Sequence, residues 1–224
     1  MFEDRLDAGR LLASRLAGYR DSPDGIILAL PRGGVVVGFA VHEALHLPLD
    51  VFMTRKLGAP ENPEYALGAL AETGYRFVNP DVEGLVAGSW SGEYIEQETR
   101  RQRREIEHRK QLYRDGGDLP DLRNRTVLLV DDGVATGSTV IAAVRSFGAL
   151  DPRRIIVAVP VASRQAMETL AGEADEVVAL SVPYRFVAVG EHYRQFPQVT
   201  DAEVVEYLDA ARLAHSPRPS PEKG

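Results

Sequence analysis

The chain has 224 residues, of which 44% are hydrophobic and 26% are charged, and its formal net charge is −7. This length and balance predict one soluble globular unit with a single substantial core. The lack of cysteine excludes disulfides, thiolate zinc sites and thiol nucleophiles, and the net negative charge argues against broad nucleic-acid binding.

The N-terminal segment mixes acids and arginines with its leucines, so it lacks the uncharged apolar centre of a signal peptide. No later run is long and apolar enough to cross a bilayer. We therefore expect a cytoplasmic protein without a membrane contact.

Two blocks of the chain alternate between helical periodicity and short apolar runs. The predicted elements, in chain order, are a helix over 6–16, a strand over 25–30, a helix over 35–46, a strand over 49–54, a strand over 126–131, a helix over 138–150, a strand over 154–161, a helix over 163–172 and a strand over 176–182. Buried strands with intervening helices are typical of an α/β fold. They predict an open, mainly parallel sheet with helices on both faces.

The segment between the two blocks does not alternate in this way. Residues 58–91 are interpreted as a mobile loop, and the charged run from Glu93 to Arg114 as a long inserted helix, with Ser91 as its N-cap and Gly116-Gly117 at its end. A last helix is expected over 201–214. The proline-rich residues 215–224 have the composition of a disordered tail.

The most informative segment begins where the apolar strand 127–130 runs into Asp131-Asp132. In an open parallel sheet, ligands gather at the carboxyl ends of strands. Gly137, Ser138 and Thr139 would then bring together flexible backbone, two hydroxyls and the free amides of a helix N-terminus, an arrangement that binds a phosphate. The segment therefore predicts a phosphate-binding loop.

Two adjacent carboxylates beside a phosphate would repel it and each other. They become compatible with it if they accept hydrogen bonds from sugar hydroxyls and lie near a divalent cation. Asp131 and Asp132 therefore favour ribose and magnesium. The structural alternative is a strand-end turn in which the two aspartates cap the next helix. Other nucleotide motifs do not fit, because no lysine follows Gly137 as in a Walker loop and the glycines at 33, 34 and 38 lack dinucleotide spacing.

The segment VLLVDDGVATGST, residues 127–139, resembles the diphosphate-sugar signature of the type I phosphoribosyltransferase family. Residues 30–34, LPRGG, resemble its pyrophosphate loop, and residues 54–56, TRK, its basic pair at the end of the next strand. The resemblance implies one domain over 1–214, with a flexible loop plus inserted helix over 55–118 and a base-binding hood over 183–198.

The family's site residues map onto this sequence as follows. The resemblance implies contacts with 5-phosphoribosyl 1-diphosphate by Arg32, Gly33, Gly34, Arg55 and Lys56 at the pyrophosphate, by Asp131 and Asp132 at the ribose hydroxyls, and by Ala135, Thr136, Gly137, Ser138 and Thr139 at the 5-phosphate. Mg²⁺ would be held by Asp131 and Asp132, in part through water. The catalytic set is Asp131, Asp132, Arg32 and Lys56.

The activity implied by the resemblance is transfer of the phosphoribosyl group to a nitrogenous base, with release of pyrophosphate. Residues 57–71 are the candidate lid over the site, with an ordinary surface loop as the alternative. Ala135 stands where some purine-salvage members carry an aspartate. This disfavours their base chemistry and leaves adenine-like, orotate-like and xanthine-like acceptors open.

The predicted hood supplies candidates for base recognition. Phe186 would stack on the base, while backbone groups near Val187 and Gly190 would read its edge. The alternative is that Phe186 and Tyr193 only pack the last strand against the C-terminal helix.

The inserted helix carries the strongest charge run of the chain, with glutamates spaced among its arginines. Such a mixture is typical of a solvated helix with ion pairs, and the lack of interleaved aromatics disfavours an RNA surface.

A homodimer is expected. Beside the transferase, two hypotheses remain open: a regulatory protein that binds the sugar diphosphate without turnover and is linked to RNA, and a sugar-phosphate enzyme that needs no base.

Overall fold

A five-stranded parallel sheet forms the centre of the protein. The computed structural model describes residues 1–60, 66–79 and 92–215. The strands within these ranges are β1 Gly25–Ala29, β2 Leu49–Val51, β3 Thr54–Gly58, β4 Ala66–Ala71, β5 Arg76–Val78, β6 Thr126–Val130, β7 Arg154–Val161 and β8 Glu176–Ser181. The central sheet has the order β2-β1-β6-β7-β8, and every neighbouring pair is parallel. The predicted α/β class is confirmed.

Helices cover both faces of this sheet. Those of the described residues are α1 Arg5–Arg15, α2 Gly33–Leu45, α3 Gly92–Arg114, α4 Ser138–Phe147, α5 Arg164–Leu170 and α6 Asp201–His215. Ile27 and Leu128 belong to the core shared with α1, α2 and α6, whereas Leu28 and Leu129 belong to the core shared with α4 and α5. Because successive side chains of a strand point to opposite faces, a continuous apolar run is needed to fill both cores.

The predicted strand over 49–54 is wrong in its extent, because the chain changes sheets within it. β2 ends at Val51, and the next amide, that of Phe52, donates to Ala29 O at 2.9 Å. The amide of Met53 donates instead to the Glu72 carboxylate at 2.8 Å, and Thr54 begins β3 in a second sheet. The apolar run therefore spans two strands.

The prediction of a loop over 58–91 missed an antiparallel sheet of order β3-β4-β5. Gly68 lies in the middle of β4, where a Cβ atom would come within 2.0 Å of Phe77 O on β5. The glycine allows this close approach, which no local pattern signals. Residues 61–65 of the predicted lid and the predicted N-cap Ser91 lie outside the described residues, so both roles stay predictions.

The inserted helix is confirmed as α3. Gly116 ends it in the left-handed conformation, with φ of +77°, and its amide donates to Lys110 O at 3.2 Å. Other helix ends differ from the prediction by one to three residues. α2 begins at Gly33, two residues early, and α4 stops at Phe147 before a 3₁₀ turn over 148–150. α6 includes His215, the first residue of the predicted tail, whose remainder, 216–224, is outside the described residues.

Candidate functional site

The two glycine-containing segments singled out in the sequence meet at one edge of the sheet. β1 and β6 are parallel neighbours with Ala29 opposite Val130, so the residues that follow them leave the sheet together. A Cβ atom at Gly33 would lie 1.9 Å from Asp132 Oδ2, and one at Gly34 would lie 2.9 Å from the Asp131 Cα atom. Only glycine permits this contact, which places the start of α2 directly against the acidic pair.

The predicted phosphate loop surrounds a cavity of about 180 Å³. Gly137, in the left-handed region with φ of +81°, turns the chain into α4, and its carbonyl accepts the first helical bond from the Ile141 amide at 2.8 Å. The cavity is lined by Lys56, Ala66, Asp131, Gly133, Val134, Ala135, Thr136, Gly137, Ser138, Thr139, Val140 and Val189. The unbonded amides of the first turn of α4 and the hydroxyls beside them suit a phosphate dianion.

The two adjacent aspartates occupy different environments. Asp131 lines the cavity, and its Oδ1 accepts a hydrogen bond from the Asp132 amide at 2.8 Å. The Asp132 carboxylate instead accepts a hydrogen bond from Arg5 Nε at 2.8 Å. Burial raises the pKa of Asp131, and the neighbouring charge of Asp132 raises it further. Burial also raises the pKa of Asp132, but Arg5 opposes this effect.

The three predicted cations are not all directed at the cavity. Lys56 lines it, while Arg55, the preceding residue of β3, points to the opposite face and donates from Nε to Gln102 Oε1 on α3 at 2.9 Å. Burial lowers the pKa of Arg55, and the nearby charge of Arg109 lowers it further. Arg32 precedes α2, with its Nη1 3.9 Å from a carboxylate oxygen of Asp201.

The predicted hood packs mainly against the N-terminal segment. The ring of Phe186 stacks on His192, with centroids 5.5 Å apart, and Tyr193 packs on Phe2 at 5.3 Å. A Cβ atom at Gly190 would lie 2.9 Å from the ring of Phe196. Neither Phe186 nor Gly190 is among the described residues that line the cavity.

The hood does reach the cavity through residues that sequence reasoning did not select. Val189 lines the cavity, whereas the side chain of Val187 is exposed. The hydroxyl of Tyr193 donates to Asp132 O at 2.5 Å. The alternative considered for Phe186 and Tyr193 was packing of the last strand against the C-terminal helix. The ring contacts found are different, because Phe186 stacks on His192 and Tyr193 packs on Phe2.

Sequence reasoning also missed Arg5, the first residue of α1. It is buried, and it contacts the acidic pair across 127 positions of the chain. A single arginine at the start of an amphipathic helix carries no local signal of such a role. Only the fold shows it.

Comparison with known proteins shows the family of the chain. A family model described as the phosphoribosyl transferase domain matches residues 3–194. The chain belongs to the phosphoribosyl transferase family. A Mycobacterium tuberculosis protein named "putative phosphoribosyl transferase", known from strains H37Rv and CDC 1551, is 43% identical over 212 residues, which cover 94% of this chain and 47% of that protein. The chain therefore spans about half the length of the curated relatives it matches.

A solved structure also resembles this phosphoribosyl transferase chain. TT1426 from Thermus thermophilus is 45% identical and superimposes with a TM-score of 0.76, covering 93% of this chain and 97% of the other. Within the described residues, no helix has the length and apolar character needed to span a membrane. The same residues contain no group of three or more histidine, cysteine or acidic side chains arranged to hold a metal ion.

Proposed function

We propose that this chain transfers the 5-phosphoribosyl group from 5-phosphoribosyl 1-diphosphate to a nitrogenous base and releases pyrophosphate. The observation that carries the proposal is the cavity of about 180 Å³ that Asp131, the loop over 135–139 and Lys56 line together. This cavity offers hydrogen-bond donors for a phosphate, an acceptor for sugar hydroxyls and a cation for a second anionic group.

Each part of the cavity suits one part of the sugar diphosphate. The loop amides and the hydroxyls of Thr136, Ser138 and Thr139 would hold the 5-phosphate. The carboxylate of Asp131 would accept hydrogen bonds from the ribose hydroxyls. Lys56 would face the pyrophosphate. Arg32 and Arg55 would have to leave their present partners, Asp201 and Gln102, to make the contacts predicted for them.

The acidic pair also suits a magnesium ion. Burial beside a second carboxylate raises the pKa of Asp131, so a divalent cation nearby would relieve the repulsion. Asp131 and Asp132 would hold the ion, in part through water, together with oxygens of the sugar diphosphate. A bound magnesium ion would stabilise the charge of the departing pyrophosphate.

In the transfer itself, the bond between the anomeric carbon and pyrophosphate breaks, and the leaving group takes the bonding electrons. A ring nitrogen of the base supplies the electron pair of the new bond. Lys56 stabilises the negative charge of the leaving group, while the phosphate loop and Asp131 hold the sugar in position. The proton carried by that nitrogen would pass to water, because the methyl side chain of Ala135 cannot accept it.

The base-binding role of the hood over 183–198, with Phe186, Val187 and Gly190 as its contacts, remains part of the proposal. The single domain over 1–214, the homodimer and the cytoplasmic setting are likewise predictions. One observation favours the regulatory alternative, in which the protein binds the sugar diphosphate without turnover. The described cavity is lined by Val189 on its hood side and by no aromatic ring on which a base could stack.

The test is magnesium-dependent release of pyrophosphate from 5-phosphoribosyl 1-diphosphate with a panel of nucleobases. Asp131→Asn should lower kcat/KM by on the order of 100-fold, because it removes a charged group at the reacting sugar. Asp151→Asn is the matched control, since Asp151 is exposed in a left-handed turn that asparagine also tolerates.

Three results would contradict the transferase. Tight binding of the sugar diphosphate with no turnover on any base supports the regulatory alternative. Pyrophosphate release that is independent of a base supports a sugar-phosphate enzyme. Failure of the wild-type protein to bind the sugar diphosphate rejects the site itself.

A further inference from the structure

A buried arginine at the start of α1 is attached to the acidic pair by several contacts at once. Arg5 is only 7% exposed. Its Nε donates to Asp132 Oδ2 at 2.8 Å, and its Nη1 donates to Pro197 O at 2.7 Å. Its guanidinium carbon lies 3.7 Å from the ring centroid of Phe196. A charge in so buried a place is stable only when its hydrogen bonds are satisfied, and these contacts leave it little freedom.

The contact with Arg5 explains why the two aspartates differ. The Asp132 carboxylate is turned towards Arg5 and lies against Gly33, so that a Cβ atom at that glycine would overlap its Oδ2 atom. Asp132 does not contribute to the described lining of the cavity, whereas Asp131 does. Asp131 is in turn oriented by the amide of Asp132, which donates to its Oδ1. Arg5 therefore acts on Asp131 through the backbone of Asp132.

The hood is hydrogen-bonded both to the N-terminal segment and to Asp132. The amide of Phe2 donates to His192 O at 2.8 Å, and the amide of Arg194 donates back to Phe2 O at 2.9 Å. Tyr193, between these two residues, donates from its hydroxyl to Asp132 O. The N-terminal segment and the hood thus form one unit that contacts Asp132 from the side chain through Arg5 and from the backbone through Tyr193.

We propose that Arg5 is a positioning residue for the acidic pair: it fixes the Asp132 carboxylate and, through the Asp132 backbone, the Asp131 side chain at the site of the sugar diphosphate. This inference rests on the proposed function. Arg5 neutralises one of two neighbouring negative charges, which lowers their repulsion of an anionic ligand.

The experiment is a calorimetric measurement of the dissociation constant of 5-phosphoribosyl 1-diphosphate in the presence of magnesium. The variants are Arg5→Met, Asp132→Asn, the double variant, and Arg10→Met as an exposed arginine on the same helix. Arg5→Met should weaken binding by about tenfold or more, because it removes a charge-assisted hydrogen bond that orients the site. Arg10→Met should bind like the wild type.

The double variant separates positioning from a general loss of structure. If Arg5 acts through Asp132, Arg5→Met should weaken binding much less in the Asp132→Asn background than in the wild type. Equal effects in both backgrounds would overturn the inference, as would wild-type affinity in Arg5→Met. Arg5→Lys covers the case in which methionine prevents folding. Lysine keeps the charge but cannot reproduce the planar set of donors, so we expect weaker binding, and wild-type affinity would overturn positioning.

The same titrations distinguish this inference from the proposed function. Wild-type protein that does not bind the sugar diphosphate would overturn both. Wild-type binding with an unchanged Arg5→Met variant would overturn only the role of Arg5.

Discussion

The parallel sheet and the antiparallel sheet are stabilised by different interactions. Every residue of β1 and β6, the central pair of the parallel sheet, is buried. In β3 of the antiparallel sheet, the first three residues are only half-buried and include Arg55 and Lys56. The acidic pair and the phosphate loop therefore extend from a fully buried framework, whereas Lys56 extends from a sheet that is held in part by charge.

The charge that holds the antiparallel sheet comes from the C-terminal end of α3. Arg114 donates to the carboxylate of Glu72, which directly follows β4, and its Nε lies 3.6 Å from Asp50 on β2. The side chains of Arg114 and Glu72 are 4% and 3% exposed. Burial raises the pKa of Glu72, and Arg114 opposes this effect. One ion pair thus joins the inserted helix and the second sheet next to the edge of the first sheet.

The largest expected effect comes from breaking this pair. Arg114→Met should lower the free energy of unfolding by about 3–5 kcal/mol, because it leaves Glu72 charged and buried without a cation. The change would be measured by urea denaturation. Arg104→Met, on an exposed part of the same helix, is the control and should change stability by about 0.5 kcal/mol or less.

A second variant tests the electrostatic explanation. Arg114→Met with Glu72→Gln removes the uncompensated charge and keeps an amide oxygen for the Met53 amide, which bonds Glu72 in the wild type. This double variant should regain at least half of the stability lost by Arg114→Met. A double variant as unstable as the single one would show that the ion pair with Glu72 does not account for the loss.

An effect of similar or smaller size is expected from the apolar framework. Leu128→Ala in β6 should lower the free energy of unfolding by about 2–5 kcal/mol, because the surrounding core can only partly fill the cavity that is left. The control is Leu11→Ala on α1, where the side chain is 48% exposed. A loss well above that of Arg114→Met would show that the apolar core around β6 stabilises the protein much more than the Arg114–Glu72 ion pair does. Equal losses for Leu128 and Leu11 would contradict the core assignment.

The same contrast explains which elements could be predicted from the sequence. β6 and β7 consist mostly of branched apolar residues, because both of their faces are covered, and such segments are recognisable locally. β4, ALGALA, is built from residues with weak strand preference, and its Gly68 is required by a strand that follows later in the chain. Its identity depends on tertiary contacts, so the prediction of a loop was wrong there.

Within the candidate site, the loop over 131–139 could be predicted because all of its groups are adjacent in sequence. Lys56 was selected by resemblance, but the strand that turns it to the cavity and turns Arg55 away was not foreseen. Arg5 and Tyr193 contact Asp132 from 127 and 61 positions away. Their roles follow from the fold and leave no trace in the local pattern.

The smallest expected effect concerns polar contacts at the opposite end of the parallel sheet. The carboxylate of Asp24, just before β1, accepts hydrogen bonds from Ser22 Oγ at 2.8 Å and from Thr126 Oγ1 on β6 at 3.0 Å. These bonds lower the pKa of Asp24 below its ordinary value of 3.8. Because the folded state binds this proton more weakly than the unfolded state, the stability that Asp24 contributes is present above pH 3.8 and is lost as the pH falls through the folded-state pKa.

Asp24→Asn should therefore reduce the slope of stability against pH in this acid range. Asp118→Asn, at an exposed position after α3, should leave the slope unchanged. If both variants kept the wild-type slope, the polar link between β1 and β6 would contribute nothing, and apolar burial alone would account for the pairing of the two strands.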